Sequence, residues 1–141
     1  MKQVHELVIH TDGCSRGNPG PAAIGVVIEG DGETLSAMGE SIGVTTNNVA
    51  EYTAVIRALE WIISHQISAT TTTFFLDSLL VVSQLRGVYK IKHPDMQARK
   101  RRVDALLHEL NSPVSFHHVR REMNAQADAL VNQALDTASF G

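Results

Sequence analysis

Val4-His5-Glu6-Leu7-Val8-Ile9-His10-Thr11-Asp12-Gly13 is the stretch from which the rest of the chain falls into place. Val4–His10 reads as a strand that closes on an acid and a glycine, and Gly13–Pro21 then reads as a Gly/Pro-rich turn. Ala22–Glu29 and Thr34–Ile42 are expected as the next two strands, with Gly30-Asp31-Gly32 as the hairpin turn between them. From Asn48 to Gln66 the apolar spacing becomes helical. Thr71–Leu76 is a β-branched and aromatic strand, and Asp77–Leu85 a short helix that Gly87 caps. A helix over Asp95–Leu110, a strand over Pro113–Val119 and a last helix over Asn124–Ala138 complete the order βββαβααβα. A hairpin-rich first half followed by alternating strands and helices predicts an α/β mixed sheet with helices packed on it.

Four acids sit where these segments begin or end: Asp12, Glu51, Asp77 and Asp128. Each has a local explanation. Asp12-Gly13 is a turn dipeptide, and Asn48-Val49-Ala50-Glu51 has the form of a capping box. Asp77 suits a helix N-cap, and Asp128 suits the first turn of its helix. Helical phase gives two of them a second meaning. Glu51 shares a stripe with Val55, Ala58 and Ile62, and Asp128 shares one with Val131 and Leu135, so both acids lean toward the sheet. Carboxylates gathered at strand ends repel one another unless cations neutralise them, which points to a divalent-metal site suited to phosphodiester hydrolysis.

Composition bounds the rest. The 141 residues suit one domain, 1–141, and a hydrophobic fraction of 43% is ordinary for a globular chain. No apolar run is long enough for a transmembrane span, and Met1–Glu6 does not look like a signal peptide. The single Cys14 agrees with a reducing cytoplasm. Net charge is −3, yet Arg86, Lys90, Lys92, Arg99, Lys100, Arg101 and Arg102 crowd into one segment opposed only by Asp95. Such a local basic face can hold a phosphate backbone, or simply be a solvated helix face. No histidine or cysteine cluster has zinc-ligand spacing.

Taken in order, the motifs Thr11-Asp12-Gly13 with Gly17-Asn18-Pro19-Gly20-Pro21, Thr45-Thr46-Asn47-Asn48 before Glu51, Asp77-Ser78, and Arg121-Glu122-Met123-Asn124 before Ala127-Asp128 carry a resemblance. The chain resembles the type 1 ribonucleases H over nearly its whole length, in their compact, archaeal-like branch. The resemblance implies a ribonuclease H-like fold, a five-stranded mixed β-sheet flanked by α-helices. It implies an endonuclease that hydrolyses the RNA strand of RNA–DNA hybrids and leaves 5′-phosphate and 3′-hydroxyl ends. Asp12, Glu51, Asp77 and Asp128 take the place of the family's metal-binding carboxylates, holding two Mg²⁺ ions with Mn²⁺ as a possible substitute. Asn18, Asn47 and Asn48 would read the RNA 2′-hydroxyls and Thr46 would touch a DNA-strand phosphate.

Three departures stand out. Leu79 occupies a position where many relatives place a glutamine, and the path from Gly87 to Met96 is too short for the basic protrusion of the familiar bacterial enzymes. Lys90, Lys92 and the Arg99–Arg102 run would replace part of its phosphate attraction. No histidine lies between His118 and Asp128, so Arg121 is expected to act there by electrostatics, or else to pair with Glu122 at the surface. Two alternatives remain open at this point: a nuclease of relaxed specificity that also takes double-stranded RNA, and a non-catalytic hybrid-binding module.

Overall fold

The computed structural model describes residues 2–140, with side chains through Ala138. Its strands are β1 (Lys2–Ser15), β2 (Gly20–Gly30), β3 (Glu33–Thr45), β4 (Ile67–Leu76) and β5 (Val114–His118). Its helices are α1 (Asn47–Ser64), α2 (Leu79–Leu85), α3 (Pro94–Leu110) and α4 (Ala125–Phe140), the last preceded by a 3₁₀ turn over Arg121–Asn124. The strands form one mixed sheet in the order β3-β2-β1-β4-β5. β1 pairs antiparallel with β2 and parallel with β4, and β4 pairs parallel with β5. The expected element order and fold class are those observed.

The hairpin between β2 and β3 turns on Asp31 and Gly32, both at positive φ (51° and 81°), the two-residue geometry that matches strand twist. The Asp31 carboxylate also accepts from the His5 and Glu6 amides, which ties this turn to the start of β1.

One boundary differs in a way that matters. β1 does not stop at His10 but continues through Thr11-Asp12-Gly13 to Ser15, paired with Ala22–Val26 of β2. Asp12-Gly13 has turn composition, and local composition loses here to a continuous ladder with a neighbouring strand. The turn itself is shorter, closed by the Arg16 amide on the Pro21 carbonyl. The helix after β4 likewise begins later than expected. Ser78, not Asp77, caps α2 by accepting from the Val81 amide.

The two faces of the sheet carry different cores. On one, Tyr52, Val55, Leu59 and Ile62 of α1 pack with Ile9, Ile24, Val26 and Phe74, and α3 lies against α1. On the other, Val131 and Leu135 of α4 pack with Ala23 and half-buried Cys14. Ala23 and Ile24 are successive residues of β2, so the two cores lie on opposite sides. Gly25 and Gly39 admit α4 closely: a Cβ on Gly25 would overlap the Ala127 carbonyl oxygen, and one on Gly39 would lie 2.6 Å from that of Leu130.

β1 and β4 part company at their C-terminal ends. Their last pair is His10 with Phe75, whose rings stack at 5.2 Å. One residue further, the Thr11 carbonyl meets not β4 but the side-chain amide of Asn124, at 2.8 Å. This split beside a reversal of strand direction is where α/β sheets place ligand crevices.

Candidate active site

Asp12 and Asp77 stand two residues beyond the last β1–β4 pair, on the sheet side that carries His10 and Phe75. Glu51 enters from α1, on the buried stripe that the spacing indicated. Ligand oxygens of Asp12, Glu51 and Asp77 all lie within 4.8 Å of one another. Asp128, from the first turn of α4, lines the same cavity of about 300 Å³ together with Asn47, Asn48, Ser78 and Arg121. The structure thus brings three of the four acids into one cluster and sets the fourth on the cavity wall. Asn132, one turn along α4, donates to the Asp128 carboxylate at 3.3 Å.

Glu51 is not a capping-box partner. The cap of α1 is Thr46, which accepts from the Val49 amide at 3.3 Å. Glu51 instead accepts from the Gly13 amide of β1 at 2.7 Å through Oε1. Its Oε2 is buried and has no partner among the described residues. A carboxylate oxygen held in that state calls for a cation or a proton. The donor set is entirely oxygen and suits a hard divalent ion.

The electrostatics agree. Burial, then the charge of Asp12, pushes the Glu51 carboxyl well above the ordinary carboxylate range. Asp12 is raised to about 6, with burial the largest cause and Asp77 and Asp128 adding repulsion. Asp77 is raised by burial and held down in part by Arg121, whose Nε lies 3.9 Å from Asp77 Oδ2. Cys14, not anticipated as part of this site, lines the cavity, its thiol raised first by burial and then by Asp12, Asp128 and Glu51.

This cluster sets a pH dependence. For Asp12 the folded value of about 6 exceeds the ordinary 3.8, so the folded chain holds the proton more tightly than the unfolded one. The associated stability is complete below pH ~4 and is lost as pH rises through about 6, a loss of ~1–3 kcal/mol. In chelator, the melting temperature is therefore expected to fall from pH ~5 to pH ~7. A millimolar divalent ion should restore it at pH ~7 by binding the folded chain alone, and thermal melts at the two pH values test both.

The asparagines behave as positioned donors. The Asn47 carbonyl oxygen accepts from the Ser15 amide at 2.7 Å, and the Asn18 carbonyl oxygen accepts from the Asn47 amide at 3.1 Å. Backbone N–H groups are obligate donors, so these bonds fix the orientation of both side-chain amides. Each Nδ2 is left without a protein acceptor among the described residues. Asn47 and Asn48 line the cavity, and Asn18 stands behind Asn47.

The basic segment is less free than the sequence suggested. Lys100 pairs with Asp104 at 2.7 Å, and Arg102 reaches Glu60 of α1 at 3.2 Å. Lys90 and Lys92 are exposed on the connection between α2 and α3 and have no carboxylate partner among the described residues. Arg121 is 83% exposed and faces Asp77, not Glu122. Leu79 is exposed at the start of α2, beside Asp77-Ser78.

Gly13 is the functional residue that composition concealed. A Cβ there would overlap the Ala50 carbonyl, so glycine alone lets β1 approach α1 closely enough for the Glu51 bond.

Residues 10–134 match the family model described as reverse transcriptase-like. The fold superposes on LC11-RNase H1, solved in complex with RNA/DNA hybrid, with a TM-score of 0.89 and 44% identity over 94% of this chain and 98% of that one. The chain belongs to the type 1 ribonuclease H family. Ribonuclease HI of Halobacterium salinarum is 44% identical over 128 residues, covering 90% of this family member and 63% of its relative. A bifunctional protein of Mycobacterium tuberculosis is 40% identical over 136 residues. This ribonuclease H chain spans 36% of the length of that curated relative. Among its described residues, no helix is long and apolar enough to cross a membrane.

Proposed function

We propose that residues 1–141 form a single ribonuclease H domain that hydrolyses the RNA strand of RNA–DNA hybrids in the cytoplasm, leaving 5′-phosphate and 3′-hydroxyl ends. The observation that carries this reading is the convergence of Asp12, Glu51 and Asp77 within 4.8 Å, with Asp128 on the wall of the same cavity. These four carboxylates would hold two Mg²⁺ ions, or Mn²⁺ in their place. When bound, such ions supply Lewis acidity and lower the pKa of a water nucleophile.

The chain's own groups do the rest. The free Nδ2 donors of Asn18 and Asn47, with Asn48, meet the RNA 2′-hydroxyls and so distinguish RNA from DNA. Thr46 offers a neutral contact to a DNA-strand phosphate, and Lys90 and Lys92 attract the backbone over a longer range. The Arg121 guanidinium stabilises charge that builds on the phosphate and leaving group. Arg121→Ala should lower kcat about 10-fold or more and leave the melting temperature within a few degrees, because Arg121 itself is 83% exposed and lies 3.9 Å from Asp77. Unchanged turnover would remove Arg121 from the reaction.

Leu79 favours a second reading in one respect. An exposed apolar side chain next to Ser78 in the chain makes no hydrogen bond to a base edge, which permits relaxed specificity toward double-stranded RNA. Labelled hybrid, RNA duplex and DNA duplex of one sequence, each with and without Mg²⁺, separate the readings. Metal-dependent cleavage of the RNA strand in the hybrid is expected. Cutting of the RNA duplex at a similar rate would favour relaxed specificity. An intact hybrid would overturn the proposed activity.

A further inference from the structure

Asn124 lies in the 3₁₀ turn ahead of α4, is 1% exposed, and is used by no step above. Its Nδ2 donates to the Thr11 carbonyl across a separation of 113 residues. That carbonyl is the first of β1 beyond the last β1–β4 pair, so one asparagine side chain occupies the place where the sheet ladder has ended. It binds the residue next to Asp12. On its own segment it lies three residues after Arg121 and four before Asp128.

We propose that Asn124 is the positioning residue that holds Asp128 against the other three carboxylates. The inference rests on the hybrid-cleaving reading above. β1 delivers Asp12, β4 delivers Asp77 and α1 delivers Glu51, and these elements are fixed to one another by ladder and core contacts. The Arg121–Asn124 turn belongs to no ladder. The Met123 amide donates to the Arg120 carbonyl, within its own segment. The Asn124 amide is thus its buried polar tie to the sheet, and a buried bond whose loss leaves a carbonyl orphaned fixes geometry strongly. α4 is seated by Ala127 over Gly25 and further along by Val131 and Leu135, so Asn124 governs the entry into its first turn and not the helix as a whole.

A second observation concerns cost. Asn124 Oδ1 and Thr11 Oγ1 are both buried without a partner among the described residues. A side chain selected for stability alone would avoid an unsatisfied acceptor there. The Asn124 amide thus reaches the Thr11 carbonyl at the cost of its own unsatisfied acceptor.

The test is a double-mutant cycle on the full chain with four proteins: parent, Asn124→Ala, Asp128→Asn, and the two together. Steady-state cleavage of labelled hybrid, calorimetric Mn²⁺ binding and thermal melting are read for each. Asn124→Ala is expected to lower kcat and Mn²⁺ affinity about 10–100-fold, the range for groups that orient metal-binding side chains, with KM little changed. Added to Asp128→Asn it should cost less than about twofold more, because the residue it positions is already disabled. Equal losses in both backgrounds, or parent-like turnover of Asn124→Ala, would overturn the inference. Should Asn124→Ala not fold, Asn124→Ser, which keeps a hydroxyl donor, runs the same cycle with a smaller loss and the same criteria. A parent chain that leaves the hybrid intact would overturn the proposed activity instead. In that case the Mn²⁺ titrations still decide the role of Asn124, by the same test of non-additivity.

Discussion

Asp12→Asn is expected to abolish cleavage of the hybrid and, in chelator at neutral pH, to raise the melting temperature. The two effects have one cause. Asp12 is 5% exposed, and its pKa is raised first by burial and then by the charges of Asp77 and Asp128. Asparagine has nearly the same shape but no charge, so substitution relieves repulsion in the metal-free chain without leaving a cavity. A gain of ~1–3 kcal/mol follows from the proton that Asp12 otherwise holds up to about pH 6. Turnover moves the other way. Loss of one oriented charged group commonly costs 10²–10³ in rate, and loss of a shared metal ligand about 10³ or more. The opposed changes distinguish a functional carboxylate from a structural one, whose removal would lower stability and spare activity. More than about a tenth of parental turnover in Asp12→Asn would sink the metal-site reading.

Gly13→Ala is expected to damage stability and activity together. The new methyl group would meet the Ala50 carbonyl, which is α1 backbone and cannot rotate away as a side chain would. Relief requires β1 and α1 to separate, and that movement lengthens the 2.7 Å bond between the Gly13 amide and Glu51. Overpacking against backbone costs about 3 kcal/mol. The displaced bond exposes an unpaired buried carboxylate to further penalty. Because Glu51 then loses its orientation toward Asp12 and Asp77, kcat should fall at least about 100-fold even at temperatures where the variant stays folded. Equilibrium unfolding in urea and hybrid cleavage at a low temperature measure the two losses separately. A stability change under about 1 kcal/mol would show that the close approach relaxes easily.

These two residues also mark what a linear reading could and could not see. Glu51 was legible, because Val55, Ala58 and Ile62 repeat at helical spacing and all are buried. The order of elements was legible for the same reason, since periodicity switches cleanly between strand and helix. The reach of β1 was not. Thr11-Asp12-Gly13 has the composition of a turn, and only pairing with Ala22–Val26 turns it into strand. Gly13 looked like turn punctuation, whereas its lack of a side chain serves contact with a helix far along the chain. The basic run looked more available than it is, since Glu60, which neutralises Arg102, comes from another helix. Asn124 appeared only as a letter in a motif, because its partner lies 113 residues away. Local patterns record what a segment must bury, and they carry no trace of which distant atom it will meet.

Gly25 and Gly39, over which α4 lies, suggest a last consequence. Gly25 pairs directly across from Asp12, and both glycines meet carbonyls from the first half of α4, Ala127 and Leu130. Together they act as the shim stock under one end of a lever. The thickness of matter at these two points sets how deeply the helix rides and therefore how far Asp128 projects toward the cluster. The span between the fourth acid and the others can accordingly be retuned from the floor beneath the helix, leaving every group that meets the substrate untouched.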